Sequence, residues 1–515
     1  MLLLPPTALR VRPGFGHVPD PMGEDTLRKI DCFYRTLIGD LGWLASAAFA
    51  SRALLLLRDM LLARILGPEG YGMWTQILVV LSYSLHLPLG FQHTVGRDVP
   101  FSLGSSEIQK VKAIQDTAYL VTLGMSILAV VVAVAVLPSL GIRLFDLPLP
   151  TLVALSAALL AQQLYGFYSI LLRAHQRFRP FSIGFAGAGF AALGLGVLFS
   201  YLWGVNGAIL SQALAYFLIV VYWSPRSPFR PLNTTLPRSE IPGLLRRSIP
   251  LFLVGLNSLL LASIDRLLVA VLYSGEIVGY YGLAFLLKLS LQLLIAPLMQ
   301  SIGPRLMKDY GKHQNPKFVS HYLVLMTFVF GFGIAVLVGG LYIAVSDLLT
   351  SFLPRYGPSV TIAQVMLVGA ALAAVAAGAS NFLLSIYKQR QVLALQLTVV
   401  AMQFSSIVLV AQSGGSIKGI AQVSAGAAII YSILALLLAG FSVHRNLWHA
   451  LIMSAKTLGI IAYVLGSSIL VSHWGVAATG GALLRFSIHF AVWMLAMLPA
   501  MWIALRVTLR MRREA

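Results

Sequence analysis

Long apolar stretches recur along this chain from about Ile38 to the C-terminus, and arginine and lysine crowd every second gap between them. A helix needs about 20 predominantly apolar residues to cross a bilayer, and about fourteen stretches reach that length. The basic residues are not scattered evenly. Arg97, Lys110 and Lys112 follow the second stretch, and Arg173, Arg177 and Arg179 follow the fourth. A run from Arg226 to Arg247 follows the sixth, and Arg506, Arg510, Arg512 and Arg513 close the chain. The opposite gaps share Arg64, Arg143, Arg355 and Lys418. Basic loops stay on the cytoplasmic side, so the pattern predicts an all-α polytopic membrane protein with both termini inside.

Composition excludes the ordinary soluble classes. The chain is 58% hydrophobic and 10% charged, with a mean hydropathy of +0.85. A formal charge of +20 would suggest nucleic acid in a soluble domain. Here it is spread over loops as an orientation signal, so no nucleic-acid partner is expected and the bilayer is the natural surroundings. Cys32 is the single cysteine, which rules out an internal disulfide and a thiolate metal cage. Residues 1–37 mix proline, glycine and both charges up to Asp31, and read as a flexible cytoplasmic tail in which Met22 is a second candidate start.

The longest gap, Ser224 to Arg247, follows six apolar stretches and carries five prolines and five arginines. It reads as a linker (224–247) between two lobes, 38–223 and 248–443, with two further helices and a basic tail over 444–515. Six helices return the chain to its starting side, so a second lobe begins in the same orientation as the first. A repeat supports this. DMLLARILGPEGYGMW runs from Asp59 to Trp74, and DRLLVAVLYSGEIVGYY runs from Asp265 to Tyr281. Both place an aspartate, a leucine pair, a glutamate (Glu69, Glu276), a glycine (Gly72, Gly279) and aromatics in the same order. The expected architecture is two six-helix lobes in parallel repeat plus two C-terminal helices, an arrangement that puts a transport site between repeats.

At these residues the chain resembles a known family. LARILGPEGYGMW (Leu62 to Trp74), then Gly90 and Arg97, together with Asp265, Glu276, Gly279 and Tyr280, looks like the bacterial polysaccharide and O-antigen flippases. These belong to the multidrug/oligosaccharidyl-lipid/polysaccharide exporter superfamily. The resemblance implies a flippase, not an enzyme, that moves undecaprenyl-pyrophosphate-linked oligosaccharide across the bacterial inner membrane. It implies no cofactor, and a polymerase and chain-length proteins as pathway partners. SRALLLLRD (Ser51 to Asp59) also resembles the lipid II flippases of peptidoglycan synthesis. Those carry an Asp-Arg pair where this chain has Gly282, Leu283 and Ala284, which argues against lipid II as the substrate.

A charge at the bilayer centre costs about 2.5–3.5 kcal/mol even on the lenient insertion scale, so charged residues inside the stretches should face a cavity or a partner. Arg52 lies deep in the first stretch, and Asp59, seven residues on, shares its helical face. Lys288 lies about 16 Å down its helix from Ile277, with Gln292 one turn below and no acid nearby in sequence. His86 falls in the inner half of the second stretch. Arg52, Lys288, Gln292 and His86 are the candidate head-group residues, because guanidinium and ammonium groups hold phosphate oxygens. Arg58, Asp59, Asp265 and Arg266 read as structural or coupling ion pairs, and His86 also fits a packing role. No phosphate-binding loop and no zinc spacing appears, so an ion gradient or consumption of the product drives the cycle.

Three other functions stay open at this point. They are lipid II flipping, drug or cation antiport within the same superfamily, and a membrane glycosyltransferase or polymerase. Antiport of cations wants membrane-embedded carboxylates, and only Asp59 and Asp265 offer themselves. A transferase wants a sizeable outer loop bearing acid/base residues, and the outward gaps are short and nearly uncharged.

Overall fold

The computed structural model describes residues 24–104, 106–136, 148–230, 241–273, 275–473 and 482–514. Among these the chain is helical, without strands. The first lobe holds α1 (Glu24–Ser84), α2 (Phe91–Gly104), α3 (Ile108–Val131), α4 (Leu149–Ala174) and α5 (Phe178–Trp223). The second holds α6 (Ile241–Leu272), α7 (Glu276–His313), α8 (Ser320–Val324), α9 (Phe330–Phe352), α10 (Gly357–Ser385), α11 (Gln389–Gln412) and α12 (Ile417–His444). α13 (Leu447–His473) and the bent pair α14 (Ala482–Ala496) and α15 (Leu498–Glu514) complete it.

Breaks divide two of the long helices. α1 turns back at Gly67, whose φ of 69° lies in the left-handed region, and Pro68 then opens the second arm. Proline suits a helix start because its missing N–H would be unpaired there anyway. α5 divides at Trp203 and Gly204 in the same way. Among the described residues nine helices are long and apolar enough to cross a membrane, ten with the bent pair α14–α15, and the breaks divide α1 and α5 into two arms each. Bulky apolar residues such as Phe217, Leu409 and Leu470 point outward, as a lipid-facing surface requires.

α1 already runs through Glu24–Ser84, so it begins inside the segment expected to be a tail. Pro68 is the one proline within it. Residues 1–23 of that tail, and 231–240 of the expected linker, lie outside the described residues. The start of the linker is not free. Phe229 is buried against Tyr119 and Phe167 of the first lobe, with ring centroids 5.1 and 5.3 Å away.

The lobes meet where the repeat motif predicts equivalence. A Cβ on Gly72 would lie 2.1 Å from the Gly275 carbonyl oxygen, and one on Gly279 would lie 2.0 Å from that of Pro68. Two equivalent glycines thus let the starts of α1's second arm and α7 cross backbone to backbone. Tyr356 covers the crossing, its hydroxyl donating to the Ala63 carbonyl at 2.9 Å and its ring 6.1 Å from both Tyr71 and Tyr280. Gly279→Val should therefore cost about 1–3 kcal/mol, the usual range for overpacking. We expect a clear drop in the thermal midpoint of the purified protein. Gly124→Val, where the added atoms meet open space, should change it little.

Candidate functional site

The second arm of α1, followed by α2, runs antiparallel to α6 across the lobe boundary and is joined to it by a series of hydrogen bonds. Gln76 Nε2 donates to the Ala270 carbonyl at 2.9 Å, and Arg266 Nη2 to the Thr75 carbonyl at 3.2 Å. Further along, Tyr83 and Ser263 hydroxyls lie 3.3 Å apart, and those of Thr94 and Ser248 2.8 Å apart. Gln76, Arg266, Thr94, Ser248 and Ser263 are buried, so each bond satisfies a polar atom that would otherwise be costly to bury.

Charged side chains cluster on both sides of this seam. In the first lobe Arg58 is buried, with Nε and Nη2 on Asp59 Oδ1 at 3.1 and 2.8 Å and Nη1 on Gln212 Oε1. Its guanidinium also lies 5.4 Å from the Trp74 ring centroid. In the second lobe Asp265 is fully buried and accepts from the Tyr281 hydroxyl at 2.8 Å and from Lys288 Nζ at 3.3 Å. Lys288 donates as well to the Ala262 carbonyl at 3.3 Å. Arg266 is buried between the lobes, 4.9 Å from the Phe285 ring, with its Nε lacking a hydrogen-bond partner among the described residues. Three cations against two carboxylates leave this buried group one positive charge in excess.

The predicted residues therefore fall into separate places. Lys288 does have an acid beside it, contrary to the expectation from sequence, because Asp265 is 23 positions away in the chain yet adjacent across the α6–α7 hairpin. Arg58 and Asp59 pair as expected, whereas Asp265 pairs with Lys288 by its side chain and meets Arg266 through the backbone N–H at 2.8 Å. Arg52 is exposed and lies within electrostatic range of Tyr165 and Tyr216. His86 sits in the break between α1 and α2, its ring 6.4 Å from Phe252 of α6. Gln292 lies on α7, and its side chain is outside the described residues.

Several partners were not singled out from sequence. Gln162 Nε2 donates to the Leu81 carbonyl at 3.0 Å and Gln163 Nε2 to that of Ser84, tying α4 to the end of α1 just before the break that leads to Gly90. Gln212 and Tyr281 complete the two ion pairs. The available signal was an amide or hydroxyl inside an apolar stretch, which needs a partner wherever it is buried.

The Lys288–Asp265 pair makes a sharp prediction. Removing one partner of a buried pair costs about 3–5 kcal/mol, because the other charge is left uncompensated. Asp265→Ala should be strongly destabilised in thermal unfolding, and Asp265→Ala with Lys288→Met should recover most of the loss. Equal midpoints for the single variant and the parent protein would show that the two charges do not compensate each other.

Comparison with known proteins agrees with this architecture. One solved structure of the same fold is a lipid II flippase, MurJ, in an inward closed conformation, at 16% identity and TM-score 0.68, covering 90% of this chain and 99% of that one. Another is an inward-facing multidrug resistance MATE family transporter of the MOP superfamily, at 15% identity and TM-score 0.65, covering 76% of this chain and 95% of that one. No curated protein matches the chain in sequence. A family profile described as polysaccharide biosynthesis protein matches residues 37–309, which takes in the first lobe, the seam and both charge clusters. The chain is thus a member of the polysaccharide biosynthesis protein family, built on the fold of the MOP-superfamily transporters.

Proposed function

We propose that this protein is a flippase that carries undecaprenyl-pyrophosphate-linked oligosaccharide across the bacterial inner membrane for cell-surface polysaccharide synthesis. The observation that carries the reading is the charge balance among the buried side chains at the seam. Arg58, Arg266 and Lys288 outnumber Asp59 and Asp265, and Arg52 adds an exposed guanidinium on the same span as Arg58. A diphosphate cannot cross about 30 Å of hydrocarbon unaided, and an excess of fixed cations offsets its desolvation. A cationic drug would meet repulsion in the same place, which disfavours antiport of cations. The substrate of the structurally similar lipid II flippase is the second reading, supported by the Arg58–Asp59 pair in the stretch that resembles that family. The residues Gly282, Leu283 and Ala284 speak against it.

Arg52 is the residue we assign to first contact with the diphosphate, since it is exposed and a guanidinium can grip two phosphate oxygens at once. Lys288 contributes its charge from behind Asp265, with Gln292 on α7 and His86 in the break between α1 and α2 as further polar contacts. Polymerase and chain-length proteins would take the product on the far side. Both termini are assigned to the cytoplasm by the distribution of arginine and lysine.

Arg52→Ala should reach the membrane in normal amount yet fail to deliver the sugar chain to the outer face, and Arg52→Lys should keep part of the activity. The readout is surface polysaccharide in cells beside membrane abundance. Normal delivery by Arg52→Ala would remove Arg52 from the site. Lys288→Ala is a poorer test, because it leaves Asp265 buried without its ammonium. Topology is testable separately in a Cys32→Ser background. Cysteine at Asn315 should be protected from an impermeant thiol reagent in intact cells, and cysteine at Gly414 should be labelled. The reverse pattern would invert the orientation.

A further inference from the structure

A cavity of about 300 Å³ opens within the second lobe, between α6, α7, α10, α11 and α12. Alanine is the commonest residue of its walls, and the polar groups among them include Lys288, Ser380, Gln396, Gln403, Ser424 and Tyr431. These polar groups form small chains. Gln396 Nε2 donates to the Tyr431 hydroxyl at 3.1 Å, and that hydroxyl lies 2.6 Å from Ser380 Oγ. Gln403 Nε2 donates to Ser424 Oγ at 3.1 Å. Behind Gln396, Asn257 Nδ2 donates to its Oε1 at 3.0 Å, while Asn257 Oδ1 is buried without a partner among the described residues.

The charge of this cavity decides what it suits. Lys288 is the charged residue among the lining ones, and Asp265 directly behind it already compensates the ammonium. An anion entering here would compete with a fixed carboxylate, and a cation would meet the ammonium, so either would sit in a low-dielectric interior with its charge unpaired. An uncharged ligand rich in hydroxyls faces neither penalty. Hydroxyls and primary amides each donate and accept, so they can exchange their mutual bonds for bonds to a polyol. The small side chains leave flat apolar wall for the C–H faces of a ring. A volume of about 300 Å³ is at the lower end for small-molecule sites and suits a sugar unit rather than a whole oligosaccharide.

We infer that this cavity is a subsite for an uncharged sugar residue of the transported glycolipid, an inference that rests on the flippase reading. The diphosphate is held at the seam, and the second lobe reads the sugar through Gln396, Gln403 and Tyr431.

The test uses the purified full-length protein in lipid nanodiscs and three probes. These are undecaprenyl diphosphate bare, bearing one neutral hexose, and bearing one hexuronic acid. In the parent protein the neutral sugar should tighten binding over the bare lipid, and the uronic acid should not. Gln396→Leu and Gln403→Leu should each weaken binding of the neutral glycolipid about tenfold, or about 1.4 kcal/mol, and leave the bare lipid unchanged. Tyr431→Phe, which keeps the ring, should shift the neutral glycolipid in the same direction. Retained binding of the bare lipid reports that each variant is folded. Unchanged binding of the neutral glycolipid in all three variants overturns the subsite, as does equal weakening of both lipids. If the parent protein binds none of the three, the flippase reading itself fails, and the subsite fails with it.

Discussion

The arrangement of the two lobes hangs on a backbone contact that only glycine permits. Gly72 and Gly279 occupy equivalent places in the repeat, and each lets a carbonyl of the other lobe approach to where a Cβ would stand. Between helices in lipid there is no hydrophobic drive, so association relies on close packing and on hydrogen bonds, and small residues at a crossing supply both. Once the two helix starts are fixed together, the second arm of α1 lies along α6, and the polar pairs from Gln76–Ala270 to Thr94–Ser248 follow down the seam.

That seam is also where the charges gather. Arg266 reaches from α6 to a carbonyl of α1, so the buried ionic groups of the two lobes are physically linked through it. Arg58–Asp59 and Lys288–Asp265 are each stabilised by a neighbouring amide or phenol, from Gln212 and Tyr281. Buried ion pairs seldom repay their desolvation in stability alone, so two of them beside one extra arginine fit a site that handles charge. The division of labour that follows is chemical. On the proposed function the seam would hold the charged head group, and the alanine-walled cavity beyond Lys288 would take uncharged hydroxyls.

The spans, their two lobes and the repeat were legible in the sequence because lipid imposes a one-dimensional rule. Each crossing helix must be apolar for its full length, and each cytoplasmic loop retains its positive charge. The equivalence of Gly72 and Gly279 could be read from the order of residues around Asp59 and Asp265, and Arg58 could be paired with Asp59 because they are neighbours in the chain.

Partner choice between helices was not legible, because it depends on how helices rotate and cross rather than on spacing within one of them. Lys288 stood alone in its stretch, and only the antiparallel packing of α6 on α7 brought Asp265 to its ammonium. Gln396, Gln403 and Tyr431 were isolated polar residues on two different spans, and folding placed them around one cavity. Hydropathy and charge along the chain determined that this protein crosses the membrane in two repeated lobes. Which buried charges meet, and which polar groups share a cavity, was decided by tertiary packing, where distance in space replaces distance in sequence.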